Sequence, residues 1–244
     1  KEYSISAPDL RGHGDSQWIT GRTYTTADYC YDIAQLIQQL KLAPLRIVSH
    51  SMGGGISLRY AGLYPEKVSK LVAIEGLGPS PKMMKERTAQ KIDEGLRGWV
   101  DQLRKLSGRQ VRRYPKVEEA ASRMKEANPH LTMEQAHHLT VHGVNQNEDG
   151  TYSWKFDNYI RAFPATGMRM EDTAWIHSRI TCPTMLVRGK ESWASDPEAD
   201  GRAAVFQDVQ VERVDQPGHW VHHDLLYDLL GQPTGVLYSA DVIF

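Results

Sequence analysis

The stretch RIVSHSMGGGIS, from Arg46 to Ser57, decides the fold of this chain. Its first half is apolar, as in a buried strand, and its second half continues as a glycine-rich segment that favours a helix. The sequence therefore predicts a strand that stops at Ser51 and turns directly into a helix. Turns of this kind normally carry glycine two residues before the serine, where this chain has Ser49.

Composition and charge exclude several classes of protein. The 244 residues are 40% hydrophobic, enough to bury the core of one large domain or of a domain with an insertion. The formal net charge of −1 gives no basic surface for nucleic acid and no polybasic membrane anchor. No apolar run approaches the roughly 20 residues that span a bilayer, and the N-terminal KEYSISAPDL is not typical of a signal peptide. We therefore expect no nucleic-acid or membrane partner.

The two cysteines predict a cytoplasmic protein. Cys30 falls in a predicted helix and Cys182 just before a predicted strand. Two isolated cysteines in such positions favour free thiols over a disulfide, which is typical of a reducing compartment.

Strands and helices alternate in the first part of the chain. Apolar residues take up helical spacing after Thr25, and Thr25 with Asp28 forms a predicted capping pair at the start of that helix. Such alternation predicts a parallel sheet with helical crossovers. The predicted strands are Tyr3 to Ala7, Leu45 to Ser49 and Lys70 to Glu75, and the predicted helices are Thr25 to Leu42 and Met52 to Leu63.

The alternation is interrupted after GLGPSPK, which begins at Gly76. Residues from about 80 to 178 contain several helical stretches and no convincing strand. The alternation resumes at CPTMLVRG, with a helix expected near Glu198 to Phe206, a strand over VQVERV and a helix from about His222. The sequence thus predicts an α/β core of residues 1–78 and 179–244, with a helical cap of residues 79–178 inserted into it.

Ser51 is a candidate nucleophile because of its position in the predicted turn. A serine hydroxyl is a weak nucleophile and needs an imidazole beside it, which a carboxylate orients. A strand–serine–helix turn exposes the hydroxyl at the carboxyl edge of the sheet, and the helix N-terminus offers backbone N–H groups to a developing oxyanion. The strained turn needs small residues two positions to either side, a need that Gly53 meets fully and Ser49 nearly meets.

Four segments, in their order and spacing, resemble the α/β-hydrolase fold superfamily and its serine-hydrolase-like, carboxylesterase-type branch. They are SAPDLRGHGDS, HSMGGGISLRYAGLYPEKVSKLVAIEG, CPTMLVRG and PGHWVHHD, and they cover nearly all of the chain outside the predicted cap. Within the cap, LTMEQAHHLTVHGVNQNEDGTYSWKFD more loosely resembles the cap of serine-hydrolase-like proteins. The resemblance implies a mostly parallel sheet flanked by helices, with Ser51 as the nucleophile.

The segment DLRGHGDS has a mainly structural role in the resembling family. Gly12 and Gly14 permit the chain to reverse after the first strand, and we expect Asp9 or Asp15 to accept hydrogen bonds from nearby backbone amides. His13 lies in the same segment, and we do not expect it to be a ligand.

The resemblance implies that the catalytic histidine follows the last strand, directly after a Pro-Gly turn. His219 stands at that position, whereas His222 and His223 are expected to open the final helix and His50 to be structural. Three more histidines, in the cap, have helical spacing that could bind a metal, but without an obvious carboxylate ligand we expect them to be surface or packing residues. They are His137, His138 and His142.

The acid of the triad departs from the usual family pattern. Where most members have an aspartate after the penultimate strand, this chain has Ser192 or Trp193, and neither is a carboxylate. A second position, used in part of the haloalkane dehalogenase branch, follows the strand after the nucleophile helix, and Glu75 stands there. We favour Glu75 as the acid because it emerges at the same edge as His219. Two carboxylates near the usual position, but out of register with it, are the alternatives: Asp196 and Glu191.

The resemblance implies an oxyanion hole made by the amide of Met52 and by a second amide from a loop with a His-Gly motif. That loop follows a strand expected before KEYSISAPDL, and in the resembling fold this strand lies in the middle of the sheet, beside RIVS. We therefore expect an N-terminal segment outside this sequence. The end of the chain, GVLYSADVIF, is strand-like where a helix is expected. A strand that fills the open place in the sheet, or a shifted reading frame, would explain it.

These features predict a serine hydrolase that cleaves a small-molecule ester through an acyl-enzyme, with no metal or organic cofactor. Serine at the nucleophile position argues against haloalkane dehalogenases and epoxide hydrolases, which attack with aspartate. Hydrolysis of a lactone, a thioester or a carbon–carbon bond uses the same triad and stays open. The alternative from another class is a non-catalytic member of the fold that binds a ligand or a partner.

Overall fold

The computed structural model describes residues 4–19, 24–162, 164–165, 167–215 and 242–243. Contacts between residues divide the chain into two compact units. The first contains Lys1–Pro8, Thr25–Lys91 and Thr166–Phe244, and the second contains Asp9–Tyr24 and Ile92–Ala165. The cap boundaries at residues 79 and 178 stay a prediction.

Helices and strands of the described residues are numbered here along the chain. The helices are α1 (Thr26–Gln39), α2 (Met52–Leu63), α3 (Pro81–Thr88), α4 (Ile92–Ser107), α5 (Val117–Ala127), α6 (Met133–Gly143) and α7 (Met170–Ser178). The strands are β1 (Leu45–His50), β2 (Val68–Ile74), β3 (Val144–Gln146), β4 (Tyr152–Trp154), β5 (Thr184–Gly189), β6 (Val209–Val214) and β7 (Val242–Ile243). Three short 3-10 turns lie at Pro65–Lys67, Asn158–Arg161 and Ala203–Val205.

The first unit is built on a parallel sheet, as the alternation of the sequence predicts. Its strand order is β6-β5-β2-β1-β7, and each neighbouring pair is parallel. Apolar side chains of the two central strands form a buried cluster, which explains why these strands are continuous hydrophobic runs. The buried members of the cluster are Val72, Ile74, Met185 and Val187.

Helices α1 and α2 begin as the sequence predicts. The Thr25 hydroxyl accepts a hydrogen bond from the Asp28 amide at 3.2 Å, and Asp28 accepts one from the Thr25 amide at 2.9 Å, so the predicted capping pair is confirmed. Helix α2 runs from Met52 to Leu63, the predicted bounds. Cys30 in α1 and Cys182 before β5 are both buried and free, as predicted for the two thiols.

The second unit contains α4, α5 and α6 and a small antiparallel sheet of β3 and β4. This hairpin corrects the prediction that the cap region has no strand. Its strands are only three residues long, so periodicity does not reveal them, but the Asp-Gly pair in QNEDGTYSW is a turn signal. Gly150 has φ 81°, a conformation that favours glycine.

The segment DLRGHGDS also lies in the second unit. Gly12 and Gly14 have φ of 77° and 55°, and Asp9 accepts a hydrogen bond from the Asp15 amide at 3.0 Å, as expected for a structural reversal. Gly14 donates to the Lys155 carbonyl at 2.7 Å, so the reversal is fixed against the segment after β4.

Two other secondary-structure predictions need correction. The helix expected near Glu198 to Phe206 is only the 3-10 turn Ala203–Val205. The Asp196 carboxylate accepts hydrogen bonds from the amides of Glu198 and Ala199, and Gly201 has φ 85°. The backbone therefore does not continue as a helix over these residues. The predicted first strand is reduced, within its described residues, to a single bridge at Ser6.

Strand β7 lies beside β1, on the side away from β2. Its register pairs Val242 with Ile47 and Ile243 with Val48, in parallel. A strand from GVLYSADVIF that filled the open place in the sheet beside β1 would pair in this way. The predicted helix from His222 lies outside the described residues. Among the helices that are described, none is both long and apolar enough to cross a bilayer.

Candidate active site

Ser51 occupies a strained turn between β1 and α2. Its φ of 52° and ψ of −114° lie outside the regions that ordinary residues populate, a conformation that costs on the order of 1–3 kcal/mol. The Ser51 amide donates to the Ile74 carbonyl at 2.8 Å, and its carbonyl accepts from the Gly55 amide at 3.1 Å. The turn is therefore held on one side by β2 and on the other by α2.

Ser49 replaces the glycine of this turn without disturbing it. The residue is 1% exposed, and its hydroxyl donates to the Val72 carbonyl in β2 at 3.1 Å. A buried hydroxyl without a partner would destabilise the fold, so this bond is what makes serine acceptable here.

Two glycines allow α2 to approach the chain segment after β2. A Cβ on Gly54 would lie 2.5 Å from the Gly76 Cα, and a Cβ on Gly76 would lie 2.7 Å from the Gly54 Cα. Both contacts are far shorter than real carbon–carbon contacts and involve backbone. The first turn of the helix after Ser51 is therefore packed directly against the residue after Glu75.

Glu75 follows β2 as Ser51 follows β1. The last register pair of the two strands is His50 with Ile74, so the next residue of each strand emerges at the same edge of the sheet. Glu75 has φ 54° and is only 6% exposed. Its amide donates to the Val187 carbonyl at 2.8 Å, which ties this position to β5.

The Glu75 carboxylate reaches the loop after β5. Its Oε1 accepts from the Gly189 amide at 2.8 Å, and its Oε2 accepts from the Ser192 hydroxyl at 2.5 Å. Ser192 is one of the two residues at the family's usual acid position, and the other, Trp193, is 58% exposed. The carboxylate of Glu75 thus lies against the residue that stands where an acid would normally be.

The two alternative acids lie in other surroundings. Asp196 accepts two hydrogen bonds from Arg213, at 2.6 and 3.0 Å, and lies 3.8 Å from the Arg188 Nη1. The hydrogen bonds from Arg213 hold the pKa of Asp196 at about 2. Glu191 is exposed. Of the three candidates, only Glu75 is buried at the edge where Ser51 emerges.

Met52 is the first residue of α2, so its backbone N–H has no acceptor within the helix. The resemblance implies that this N–H contributes to an oxyanion hole, which stays a prediction. The Met52 side chain is exposed. His50 ends β1, directly before the turn.

Of the remaining candidate histidines, four lie within the described residues and three do not. His219, His222 and His223 lie outside the described residues. His138 and His142 pack edge-on with ring centroids 4.8 Å apart on α6, and both are exposed, as is His137. His13 Nδ1 lies 3.1 Å from the Arg11 carbonyl oxygen. Throughout the part of the chain that is described, no group of three or more His, Cys, Asp or Glu side chains could hold a metal ion.

The hydrogen bonds that Ser192 and Arg202 make at this site were not predicted from the sequence. Ser192 bonds to a residue 117 positions away, and Arg202 bonds to carbonyls 123 to 125 positions away, in the loop after Glu75. Local patterns do not report contacts across such separations. The Gly-Leu-Gly-Pro sequence after Glu75 was the one available indication that this loop needs unusual backbone geometry.

Comparison with known proteins shows the fold family of this chain. A family model described as the alpha/beta hydrolase fold matches residues 1–224. The chain therefore belongs to the alpha/beta hydrolase fold family, which confirms the predicted fold class.

The relatives include several hydrolases at low identity. A serine hydrolase-like protein of Danio rerio is 25% identical over 191 residues, which are 78% of this chain and 58% of that protein. An esterase of Mycobacterium tuberculosis is 26% identical over 235 residues, which are 95% of this chain and 73% of that protein. The solved thioesterase domain from the curacin biosynthetic pathway has a TM-score of 0.76 and 27% identity, and the match covers 91% of this chain and 78% of that domain. The chain thus spans little more than half of the Danio rerio relative.

Proposed function

We propose that this protein is a serine hydrolase of the carboxylesterase type. The observation that carries the proposal is the strained Ser51, with φ 52° and ψ −114° between a parallel strand and a helix N-terminus. Strain of this kind persists only where surrounding contacts hold it, and it is concentrated at functional sites. The esterase and serine hydrolase-like relatives support the same class of activity.

In this proposal, the residues have the roles of a Ser-His-acid triad. The Ser51 hydroxyl attacks the ester carbonyl carbon while His219 takes its proton, and the Met52 N–H stabilises the oxyanion. The alcohol leaves with the proton from His219, which leaves an acyl group on Ser51. Water then attacks the acyl-enzyme while His219 takes one of its protons, and the acid is released as His219 returns that proton to the Ser51 oxygen.

Glu75 is the proposed acid, which orients the imidazole and stabilises its protonated form. Its support comes from burial at the edge where Ser51 emerges and from two donors that hold its carboxylate, Gly189 and Ser192. Asp196 is the weaker alternative because its carboxylate is paired with the guanidinium of Arg213, a cation that takes the place an imidazolium would need. Glu191 is weaker still because it is exposed.

A fluorophosphonate probe tests the proposal without knowledge of the substrate, because it reacts with activated serines. We expect the folded chain to be labelled and Ser51→Ala to be unlabelled. Ser49→Ala is the matched control, since it removes a buried hydroxyl two residues away and is expected to retain labelling. A folded wild-type protein that takes up no probe would contradict the proposal.

The substrate is proposed to be a small carboxylic ester, with a thioester as the second candidate. The resemblance to the curacin-pathway thioesterase domain favours the second candidate. Matched acetyl and butyryl substrates, each as p-nitrophenyl ester and as N-acetylcysteamine thioester, separate the two. A kcat/KM higher for the oxygen esters than for the thioesters supports the first candidate, and the reverse order supports the second.

A further inference from the structure

The guanidinium of Arg202 joins two loops of the first unit. Its Nη1 donates to the carbonyl oxygens of three consecutive residues, at 3.1, 3.1 and 3.2 Å: Leu77, Gly78 and Pro79. Its Nη2 donates to the hydroxyl and carbonyl oxygens of Ser195, at 2.9 and 3.3 Å. The Arg202 side chain is only 16% exposed, so these bonds form largely away from water.

Asp200 fixes the orientation of this guanidinium. Both oxygens of Asp200 accept from the Arg202 Nε at 3.0 Å, and Oδ2 also lies 2.8 Å from Nη2. The Ser195 hydroxyl in turn donates to the Asp200 Oδ2 at 2.5 Å. Because all three nitrogens of the planar fork have partners, the guanidinium can rotate only by breaking several charge-assisted bonds.

The first of the two loops begins at the residue after Glu75. Glu75 and Gly78 have φ of 54° and 69°, so the backbone reverses through two left-handed residues. Gly76 and Gly78 have no side chain with which to pack, so backbone carbonyls are the main groups by which this loop can be held.

The second loop follows β5 and supports the same carboxylate. It contains Ser192, whose hydroxyl donates to Glu75, and it continues to Ser195 and Asp200. Arg202 therefore holds both the backbone that leads away from Glu75 and the loop that donates to the Glu75 side chain.

We propose that Arg202 is a positioning residue that keeps the Glu75 carboxylate oriented toward the catalytic base, an inference that rests on the proposed function. The bonds of Arg202 run to backbone carbonyls, Ser195 and Asp200, so it acts on the reaction through Glu75. A displacement of about 1 Å at a catalytic group can slow a reaction about 100-fold. We expect release of either loop to displace the Glu75 carboxylate on this scale.

A double-mutant cycle on the rate of fluorophosphonate labelling tests this role in the full chain. Lysine keeps the charge at 202, but its single nitrogen cannot replace a three-nitrogen fork. We expect Arg202→Lys to slow labelling about 10- to 100-fold. If Arg202 acts only through Glu75, the double variant Glu75→Gln/Arg202→Lys labels within about threefold of Glu75→Gln alone.

The pH profile gives a readout that loss of stability alone would not produce. An imidazole that loses its oriented carboxylate has a lower pKa, so the acid limb of the labelling rate moves to lower pH. We expect this movement in both Glu75→Gln and Arg202→Lys. Arg169→Lys is the matched control, because it removes a forked pair with Asp172 that lies outside both loops. Its labelling is expected within about threefold of wild type, because the fork it loses holds neither loop beside Glu75.

A second variant, Asp200→Asn, keeps the Arg202 side chain and weakens the contacts that orient its guanidinium and the Ser195 hydroxyl. It is expected to slow labelling less than Arg202→Lys does, with the same direction of pH movement. Rates are compared per folded protein, as measured by thermal unfolding under the assay conditions.

The inference is overturned if Arg202→Lys and Asp200→Asn label at the wild-type rate, or if the losses in the double variant multiply. These outcomes leave the proposed function intact. Failure of the proposed function has a different signature, which is absence of labelling in wild type or its persistence in Ser51→Ala.

Discussion

Ser49 shows, at the scale of one residue, how a motif can depart from its usual pattern and keep its geometry. The residue is buried, yet its hydroxyl has an acceptor in the Val72 carbonyl of the neighbouring strand. The strained conformation belongs to Ser51, whose φ is 52°. Position 49, two residues before Ser51, therefore requires a small side chain and does not require glycine.

Ser49→Gly is therefore expected to change stability and not reactivity. The variant loses one buried hydrogen bond and gains chain entropy in the unfolded state, which together lower the free energy of unfolding by about 1–2 kcal/mol. Urea unfolding measures that loss, and fluorophosphonate labelling should stay within about twofold of wild type. A tenfold gain in labelling would mean that serine at this position impairs the turn.

The choice of acid is also a matter of single residues. Glu75→Gln is expected to slow labelling by roughly 10²- to 10⁴-fold, because an amide does not stabilise an imidazolium. Asp196→Asn is the matched variant, and it should label within about threefold of wild type while unfolding at a lower temperature, since its pair with Arg213 is weakened. If the large loss occurs in Asp196→Asn alone, the assignment of Glu75 is wrong.

At the scale of elements, the site depends on how closely α2 approaches the loop after β2. Gly54 and Gly76 meet backbone to backbone, and this contact links the helix that follows Ser51 to the loop that follows Glu75. Helix α2 thus fixes the relation between two proposed catalytic residues, as well as supplying the Met52 amide.

Two neighbouring glycines of α2 test this contact. Gly54→Ala puts a Cβ 2.5 Å from the Gly76 Cα, so the helix must move, and we expect a loss of at least about 2 kcal/mol in stability together with slower labelling. Gly55→Ala meets nothing closer than 3.4 Å and is expected to be neutral or to stabilise the helix by up to about 1 kcal/mol. Equal stability of the two variants would contradict the close approach.

At the scale of the whole molecule, His177 makes stability depend on pH. Burial lowers its pKa to about 4, and the charges of Arg59 and Arg202 act in the same direction. Its ring is stacked on Phe206, and within the described residues its Nε2 has no hydrogen-bond partner. The neutral imidazole is therefore the form that fits the folded protein.

The sign of the pH effect follows from this lowered pKa. As the pH falls below about 6.5, the unfolded chain binds a proton at His177 that the folded protein does not, so stability declines until about pH 4. At pH 5 this contribution amounts to about 2 kcal/mol. Urea unfolding at pH 7 and pH 5 should show a smaller difference in His177→Leu than in wild type, and His137→Leu, at an exposed position, controls for the loss of an imidazole. An unchanged difference in His177→Leu would contradict this account.

Much of the fold follows from the sequence because its signals are local. The capping pair at Thr25 and the bounds of α2 and β6 depend on neighbouring residues and are confirmed. The short β3–β4 hairpin and the 3-10 turn at Ala203–Val205 were not predicted, because side-chain and turn contacts there override the local secondary-structure propensity.

The same distinction between local signals and long-range contacts applies to the candidate site. Ser51 was proposed from the strand–serine–helix turn and Glu75 from the resemblance to part of the haloalkane dehalogenase branch, and the structure places each directly after a parallel strand. The bonds of Ser192 and Arg202 depend on contacts more than 100 residues apart in the chain, which a single sequence does not encode in any local pattern.

The proposed mechanism requires an activated nucleophile at Ser51, and peptide mass spectrometry after fluorophosphonate treatment reports on this residue itself. We expect one phosphonate adduct, on the Ser51 hydroxyl, that forms in the folded protein and is lost on prior unfolding. A folded protein with an unmodified Ser51, or with its adduct on another serine, would show that Ser51 is not the nucleophile.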